Sequence, residues 1–518
     1  MVKKMISRLS VLTVLIVFAT ACSKKSEYTN VIPADATAIA SVNLKTLAEK
    51  AGLNSKENEE LKQKMLNAFK SGANAVTFQQ LEKVINNPSE SGIDVTSPIY
   101  LFTAPSFPYT SIVAQVNSEG NLRSNLEILA KEQICQPVIK EDGYSYTTIG
   151  NAGLLAFNES VALVVATNGT SISTKIKEAI ALLMKQTTEN SINKVAGFKK
   201  MQEQKGEVAF FASMAAIPDM YASQVSMGLP ANVNPKDIML LGSLGFEKGK
   251  VALQFKHYTE NKEVEALLKK QEKAFTKLNT TFLKYFPEST LTFLNVGANG
   301  AELYNLLLEN EEFRNNVSIA KAAEVKELFN SFNGDISAGL LNVSMMNNNP
   351  TMLAYADVKN GDALQTVYNN KQTLGLKKGE DILKLGENEY VYKSKAMNIF
   401  FGVKDKQLYA TNDEMLYKSI GKPVDKSIKD AEYASDMKGK NLFWVINMKA
   451  ILEMPVVKMM IGFGGEEYQM YYNLASKVSF LELSNESDGI TEIDLILQNK
   501  DENALKQIVD FVRQFVNM

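Results

Sequence analysis

The stretch that decides the fold occurs twice in the chain. Val31–Val42 reads VIPADATAIASV, and Tyr285–Val296 reads YFPESTLTFLNV. Each copy has two apolar residues and a proline, then a turn, then alternating apolar and polar residues, which predict a half-buried β-strand. A helical pattern follows each copy, around residues 46–51 and 301–308. The chain therefore opens the same strand and helix twice.

Further pairs of segments follow in the same order. Residues 112–116 match 353–357, and residues 206–211 match 439–444. The spacing falls from 254 (285 minus 31) to 233 (439 minus 206), as insertions in loops would cause. Self-similarity over such a distance predicts an internal duplication. We expect two homologous halves, residues 31–275 and 282–518.

A shared Ala-Thr-Asn tripeptide lies between a predicted strand and a predicted helix in each half. It ends at Asn168 in the first half and at Asn412 in the second. Asparagine is a favoured N-cap residue, so both are predicted to cap the helix that follows.

Turn residues and periodicity decide the fold class. Residues 247–250 separate the apolar runs 241–246 and 251–258, and residues 485–489 separate 478–483 from 490–497, which predicts two hairpins. Residues 172–185 have apolar positions at helical spacing. Hairpins mixed with helices predict an α+β protein of two tandem halves, each a largely antiparallel sheet with packed helices.

The N-terminus resembles a bacterial lipoprotein signal. A basic start is followed by the apolar run Leu9–Phe18 and by Ala19, Thr20, Ala21 and Cys22. This segment is similar to a lipobox, although Ala19 stands where leucine is usual. We expect a signal peptide over residues 1–21, lipid (palmitate included) on Cys22, and a flexible tether over residues 22–30. The alternative is a plain secreted protein with an incidental cysteine.

Charge and cysteine content exclude several classes of protein. Loss of three signal-peptide cations leaves 53 basic and 58 acidic residues, a net charge of −5. No basic block suggests a nucleic-acid partner, and no second run of about 18 apolar residues suggests a membrane span. Besides Cys22 there is only Cys135, so a disulfide framework is excluded. We interpret Cys135 as a small buried hydrophobe.

The sequence has no recognisable catalytic pattern. Its single histidine, His257, excludes multi-histidine metal sites and is interpreted as structural. No nucleophile elbow, phosphate loop or calcium loop is present. We therefore predict no catalytic residue, no cofactor and no metal, and we favour a protein that is not an enzyme.

Aromatic residues give the only candidate contact surface. Tyr468, Tyr471 and Tyr472 fall on one helical face, which favours core packing, with a partner-binding patch as the alternative. Trp444, the only tryptophan, lies in an apolar strand and is predicted to be in the core. The methionine-rich stretch Met454–Met460 is interpreted as adaptable packing, ended by the glycines near 462–465.

The tether, the Val31–Val42 strand and the two-half layout resemble an uncharacterised Bacteroidetes lipoprotein family, classed as a domain of unknown function. The resemblance implies a cell-envelope location and no established activity. Ser23, Lys24, Lys25 and Ser26 follow the cysteine in place of an acidic run. That difference favours an outer-membrane anchor that faces the periplasm.

Three hypotheses of function remain open. The first is a non-catalytic envelope lipoprotein, held to the membrane by lipid on Cys22, that binds or scaffolds an envelope protein or component. The second is a carboxylate-dependent hydrolase, because acidic residues are plentiful. The third is a surface glycan-binding lipoprotein, which would need exposed aromatic side chains. The sequence gives no oligomeric state.

Overall fold

The computed structural model describes residues 27–53, 63, 66, 75–167, 171–216, 233–309, 323–343, 350–463 and 465–516. The predicted signal peptide, Cys22 and the predicted helix cap Asn168 lie outside these ranges. The chain forms two compact units, described in turn. Unit 1 contains the described residues of Met1–Pro218, Met239–Lys248 and Glu502–Met518, and unit 2 contains those of Asp219–Ile238 and Gly249–Asp501.

Unit 1 is built on one antiparallel sheet. Its strands are β1 (Ala38–Val42), β2 (Ile99–Ala104), β3 (Phe107–Gln115), β4 (Ile139–Lys140), β5 (Ser145–Ile149), β6 (Gly153–Phe157), β7 (Val161–Ala166), β8 (Val208–Ser213) and β9 (Met239–Glu247). They pair in the order β4-β5-β6-β7-β3-β2-β1-β8-β9. Strand β1 thus pairs with two strands that are distant in the sequence, β2 and β8.

The helices of unit 1 come from both ends of the chain. They are α1 (Leu44–Lys50), α2 (Ala75–Asn86), α3 (Glu119–Lys131), α4 (Thr174–Met184), α5 (Ala196–Gln202) and, from the C-terminal segment, α14 (Ala504–Val516). Helix α14 packs against α1 and β9. Helix α3 covers a core cluster that includes Leu122, Leu126 and Phe157.

Unit 2 has a second antiparallel sheet. Its strands are β10 (Lys250–Tyr258), β11 (Thr292–Asn299), β12 (Phe332–Val343), β13 (Pro350–Val358), β14 (Asp381–Gly386), β15 (Glu389–Lys393), β16 (Asn398–Lys404), β17 (Gln407–Thr411), β18 (Lys440–Asn447), β19 (Val478–Glu486) and β20 (Thr491–Leu497). They pair in the order β14-β15-β16-β17-β13-β12-β11-β18-β19-β20-β10.

Eight helices belong to unit 2 within the described ranges. They are α6 (Lys262–Glu272), α7 (Gly300–Glu309), α8 (Ala323–Ser331), α9 (Asp362–Asn369), α10 (Glu414–Lys418), α11 (Met448–Glu453), α12 (Pro455–Phe463) and α13 (Gly465–Ala475). Helices α11, α12 and α13 follow one another between β18 and β19 and pack on each other. No helix in the described part of the chain is long and apolar enough to span a membrane.

The predicted α+β class with antiparallel sheets is confirmed. Adding ten to each strand number of unit 1 reproduces the order of the first nine strands of unit 2. This agreement is compatible with the duplication of residues 31–275 and 282–518, which itself stays a prediction.

Several local predictions hold, and the predicted helix cap at Asn412 needs correction. The hairpin over residues 478–497 is confirmed as β19 and β20, and the helix near 172–185 as α4, with Ile176, Ile180 and Leu183 buried. Asn412 is not the N-cap of the helix after it. Asp413 has the extended backbone of a cap, and its carboxylate accepts the N–H groups of Met415 and Leu416.

The folded body begins earlier than the predicted end of the tether at residue 30. Glu27–Val31 forms a 3₁₀ helix, and Tyr28, Thr29 and Asn30 are buried. The Tyr28 hydroxyl donates to the carbonyl of Pro98 at 2.8 Å. Burial of these side chains fixes the segment, so any flexible tether ends before Glu27.

The core of unit 2 lies on one face of its sheet. Phe443 and Val445 of β18 pack there with residues of β11, β13 and β17 and with the segments before and after these strands. The largest members of this cluster are Phe282, Tyr285, Phe286, Phe293, Tyr355, Tyr409 and Tyr433. Gly339 faces the same side, where an added Cβ would come within 2.8 Å of Phe286 Cδ1. Alternate residues of each strand are left on the opposite face.

Candidate binding site

The opposite face of the unit 2 sheet is apolar and partly open. On β18, Phe443 and Val445 are each 1% exposed, whereas Trp444 between them is 40% exposed. Leu294 on β11, in direct register with Trp444, is 37% exposed, and Met352 on β13 is 39% exposed. Large apolar side chains grouped on an accessible face mark a binding surface more often than isolated ones do.

Trp444 was predicted to be in the core, and that prediction is wrong. Strand side chains alternate between faces, so a residue between two buried neighbours points to the other side of the sheet. The sequence pairing of residues 206–211 with 439–444 matched Trp444 to Phe211, which is buried. The strand registers instead match Trp444 to Phe210, because Ala40 faces Phe210 and Leu294 faces Trp444.

Trp444 borders a cavity of about 410 Å³ on this face, which we call the trough. Ala338, Ala354 and Ala410 are in register across β12, β13 and β17 and form its floor. Larger side chains surround them. The lining residues are Thr292, Leu294, Ala338, Gly339, Leu340, Met352, Leu353, Ala354, Ile399, Ala410, Thr411, Asn412 and Trp444.

One end of the same face is closed by helices. Phe401 and Leu408 lie beside Ala410 by strand register and alternation, and they pack in a cluster with Leu364 and Tyr368 of α9. The trough begins where that helical cover ends. The sequence could not show this boundary, because it depends on which strands become neighbours.

The polar side chains of the trough are engaged within the protein. Trp444 Nε1 donates to Thr292 Oγ1 at 2.7 Å, and Thr292 Oγ1 donates to the carbonyl of Val445 at 2.9 Å. Thr411 Oγ1 donates to the carbonyl of Met352 at 2.7 Å.

Asn412 is held by its neighbours in the same way. Its Nδ2 donates to the carbonyl of Pro350 at 2.6 Å, and its Oδ1 accepts the N–H of Met352 at 2.8 Å. This role replaces the predicted helix cap. The lining contains no charged residue, so the trough is suited to a ligand without polar groups.

The tyrosines of α13 are brought to the surface. Tyr468 is 47% exposed and Tyr471 is 55% exposed, whereas Tyr472 is half-buried. The core-packing interpretation is therefore wrong for Tyr468 and Tyr471, although α13 packs on α11 and α12. Phe463, Met459 and Met460 of α12 are also exposed. The partner-binding patch at these tyrosines stays a prediction.

A second cavity in unit 2, of about 540 Å³, has a different chemistry. It is lined by Glu288, Glu432 and Glu453 together with Lys449 and Lys500. Glu432 Oε1 is 2.7 Å from Lys500 Nζ. The mixture of charged side chains makes this cavity polar.

The strongest perturbation of an acid lies inside the sheet. Burial, reinforced by the carboxylates of Asp436 and Asp494, raises the pKa of Glu482 to about 8. Glu482 faces Asp494 on the neighbouring strand, and Asp494 is paired with Lys250 at 3.0 Å. Neither Glu482 nor Asp494 lines either cavity, so this pair is placed to affect stability.

The remaining sequence candidates are placed as follows. Cys135 is buried in unit 1, and its Sγ donates to the carbonyl of Leu126 at 3.4 Å, as expected of a small buried hydrophobe. His257 is exposed near the end of β10. Among the described residues, no cluster of three or more His, Cys, Asp or Glu side chains could hold a metal ion.

Comparison with protein-family models finds a match. A family model described as "Domain of unknown function (DUF4836)" matches residues 28–505. No curated protein matches the sequence.

Solved structures show only a remote likeness. Crystal form IV of TP0453 is similar at a TM-score of 0.27 and 11% identity, over 45% of this chain and 81% of that one. Crystal form I gives 0.26 and 10%, over 48% and 87%. With scores this low, the function has to be inferred from the residues of this chain.

Proposed function

Because the chain belongs to the DUF4836 family, a domain of unknown function, we propose a function from its own residues: a non-catalytic, lipid-anchored protein that binds a component of the cell envelope. The observation that carries this proposal is the open, uncharged trough beside Trp444. A surface of that kind costs solvation energy unless something covers it. Catalysis needs polar groups aimed at a reacting atom, and the polar groups of the trough are already engaged.

The cellular location of the protein is part of the same proposal. Residues 1–21 would direct export, lipid on Cys22 would hold the protein to the outer membrane, and the body would face the periplasm. The observed start of the folded body at Glu27 leaves residues 23–26 as a short tether. Four extended residues reach about 14 Å, so the body would stay close to the membrane surface.

Lipid attachment and location are tested by metabolic labelling with a palmitate analogue in the wild type and in Cys22→Ala. We expect label in the wild type alone, and resistance to protease added to intact cells until the envelope is opened. Label in both forms contradicts lipid on Cys22. If protease added to intact cells degrades the wild-type protein, the periplasmic orientation is contradicted.

Binding through the trough is tested by photo-crosslinking in intact cells. A benzophenone amino acid replaces Met352 in the trough, and in the control it replaces Lys377, an exposed residue of the same unit. We expect a discrete adduct from position 352 that disappears when Ala354→Phe fills the floor. Equal adducts from both positions, or an adduct that survives Ala354→Phe, would contradict binding through the trough.

Glycan binding is less well supported, although Trp444 is exposed. Sugars are held by hydrogen bonds to their hydroxyls as well as by aromatic contact. Here the indole N–H is engaged by Thr292, and the Asn412 amide is engaged by Pro350 and Met352. A sugar in the trough would leave its hydroxyls without new partners.

The runner-up is a carboxylate-dependent hydrolase. The observation in its favour is the second cavity, which has three glutamates in its lining. Hydrolysis by a carboxylate pair would depend on Glu288 and Glu453, since Glu432 is paired with Lys500. Glu288→Gln with Glu453→Gln should abolish any hydrolytic activity found in the pure protein. Such activity unchanged in the double variant would remove this alternative.

A further inference from the structure

We propose that the trough of unit 2 holds a single fatty acyl chain in contact with Trp444. This inference rests on the proposed binding function and specifies its ligand. It is drawn from the chemistry, size and shape of the site.

The chemistry of the lining excludes most ligand groups. No charged residue lines the trough, so a ligand headgroup or an ionised side chain would find no counter-charge inside it. A bound peptide would bring its own N–H and C=O groups. With Thr292, Thr411 and Asn412 already hydrogen-bonded, those groups would lose water without a replacement. A hydrocarbon chain has no such cost.

The size of the site favours a small ligand over a protein. A volume of about 410 Å³ falls in the lower part of the range of small-molecule pockets. A stable protein interface needs about 800 Å² from each partner, with polar groups that pair across its rim. The trough has neither the extent nor the free polar groups for that role.

Its shape fits a linear apolar chain. The three floor alanines lie on adjacent strands, so the row runs across the sheet for about 10 Å. Leu294 and Trp444 flank the row on the side of β11 and β18, and Ile399 lies on the side of β16. Methylene groups laid along the alanines would contact these side chains, and flexible Met352 can adjust to the chain.

Trp444 provides a direct test because it is the only tryptophan in the protein. The full chain carrying Cys22→Ala, which lacks its own lipid, is titrated with 9,10-dibromostearate while tryptophan fluorescence is recorded. Bromine quenches only on close contact. We expect saturable loss of most of the emission at one equivalent, and a blue shift without quenching for unbrominated stearate.

Variants separate the trough from nonspecific association. Met352→Gln should weaken quenching about tenfold, and Ala354→Phe should abolish it. Met415→Gln is the matched control, because Met415 is 74% exposed on α10 and does not line the trough. A brominated lysophospholipid below its micelle concentration, used in parallel, tells a lipid source of the chain from a free fatty acid.

The possible failures can be distinguished. Absence of quenching, or equal quenching in the wild type and in all three variants, overturns the acyl-chain proposal. If the adduct from position 352 in cells still depends on Ala354, the binding function stands with another occupant. If that adduct is lost as well, the proposed function fails with it.

Discussion

The indole of Trp444 donates to the Thr292 hydroxyl at 2.7 Å, and the same hydroxyl donates onward to the carbonyl of Val445. This chain of two hydrogen bonds links β11 to β18 and holds the indole at the edge of the trough. It satisfies the one polar atom of the only aromatic ring that lines the cavity.

Thr292→Val breaks this link. We expect the free energy of unfolding measured in urea to fall by about 1 kcal/mol, because a neutral hydrogen bond between half-buried groups contributes about that much. Trp444 emission should change, since its N–H would turn to water. Thr351→Val on β13, two strands away from β11, is the control and should alter neither property. An unchanged spectrum in Thr292→Val would show that the indole does not depend on Thr292.

The exposed tyrosines of α13 should contribute little to stability. Tyr468→Ala and Tyr471→Ala are expected to change the free energy of unfolding by no more than about 0.5 kcal/mol. Tyr433→Ala, which empties a site in the core of unit 2, should cost about 3–5 kcal/mol. The three variants are compared by urea unfolding followed by far-UV circular dichroism. If either α13 variant lowered the free energy of unfolding by several kcal/mol, the tyrosine concerned would have to be packed in the core.

Glu482 should make stability depend on pH. The folded protein keeps this carboxyl protonated up to about pH 8, whereas an unfolded chain releases the proton near pH 4.5. Between these values the folded state binds more protons, so this group makes stability fall as pH rises. Lys250 and Lys500 oppose the shift but do not cancel it.

Glu482→Gln removes this proton while keeping the shape of the side chain. We expect the variant to lose less stability than the wild type between pH 5 and pH 8.5, with the larger gain in Tm at the higher pH. Thermal unfolding at both values measures the effect. Glu387→Gln, at an exposed turn between β14 and β15, serves as control. Parallel pH profiles of wild type and Glu482→Gln would refute the prediction.

Cys135 should react with thiol reagents only after unfolding. Its Sγ is buried beside Leu126, and burial raises the pKa of the thiol, so little thiolate is available. In the full chain with Cys22→Ala, we expect no reaction with a disulfide reagent over minutes and one equivalent in denaturant. Fast reaction in the native protein would show that this part of unit 1 opens readily.

Removal of α14 should destabilise unit 1. The helix packs on α1 and β9, and Lys506 is paired with Glu502, which precedes the helix, and with Asp510 within it. Loss of its partly buried apolar side chains should cost at least about 2 kcal/mol. A chain ending at Asp501 is compared with the full chain by hydrogen exchange. Faster exchange confined to unit 2 would contradict the assignment of this helix to unit 1.

The sequence predicts individual helices and strands more easily than it predicts which strands pair with each other. The α+β class, the hairpin of β19 and β20, and helix α4 follow from turn residues and periodicity, which are local. The order of strands is non-local, because β1 pairs with β2 and β8, which are distant in the sequence. No local pattern specifies those partners.

The trough was missed for a reason that Trp444 illustrates. Its strand reads as a continuous apolar run, in which neither face is marked as exposed. Matching it to Phe211 instead of Phe210 shifted the register by one residue, and one residue reverses the face. The three floor alanines gave no signal either, because they are spread over residues 338–410 and meet only across strands.

The composition of unit 1 has a consequence for the order in which the chain folds. The ribosome delivers residues 502–516 after every residue of unit 2, so α1 waits for α14 through almost all of synthesis and β9 waits through about half of it. Contacts this distant in sequence slow folding and prolong the time for which an unfinished sheet is exposed to other chains. In refolding followed by pulsed hydrogen exchange, we expect unit 2 to gain protection before β9 does. A chaperone that shields unfinished strands would then act mainly on the N-terminal part of the protein.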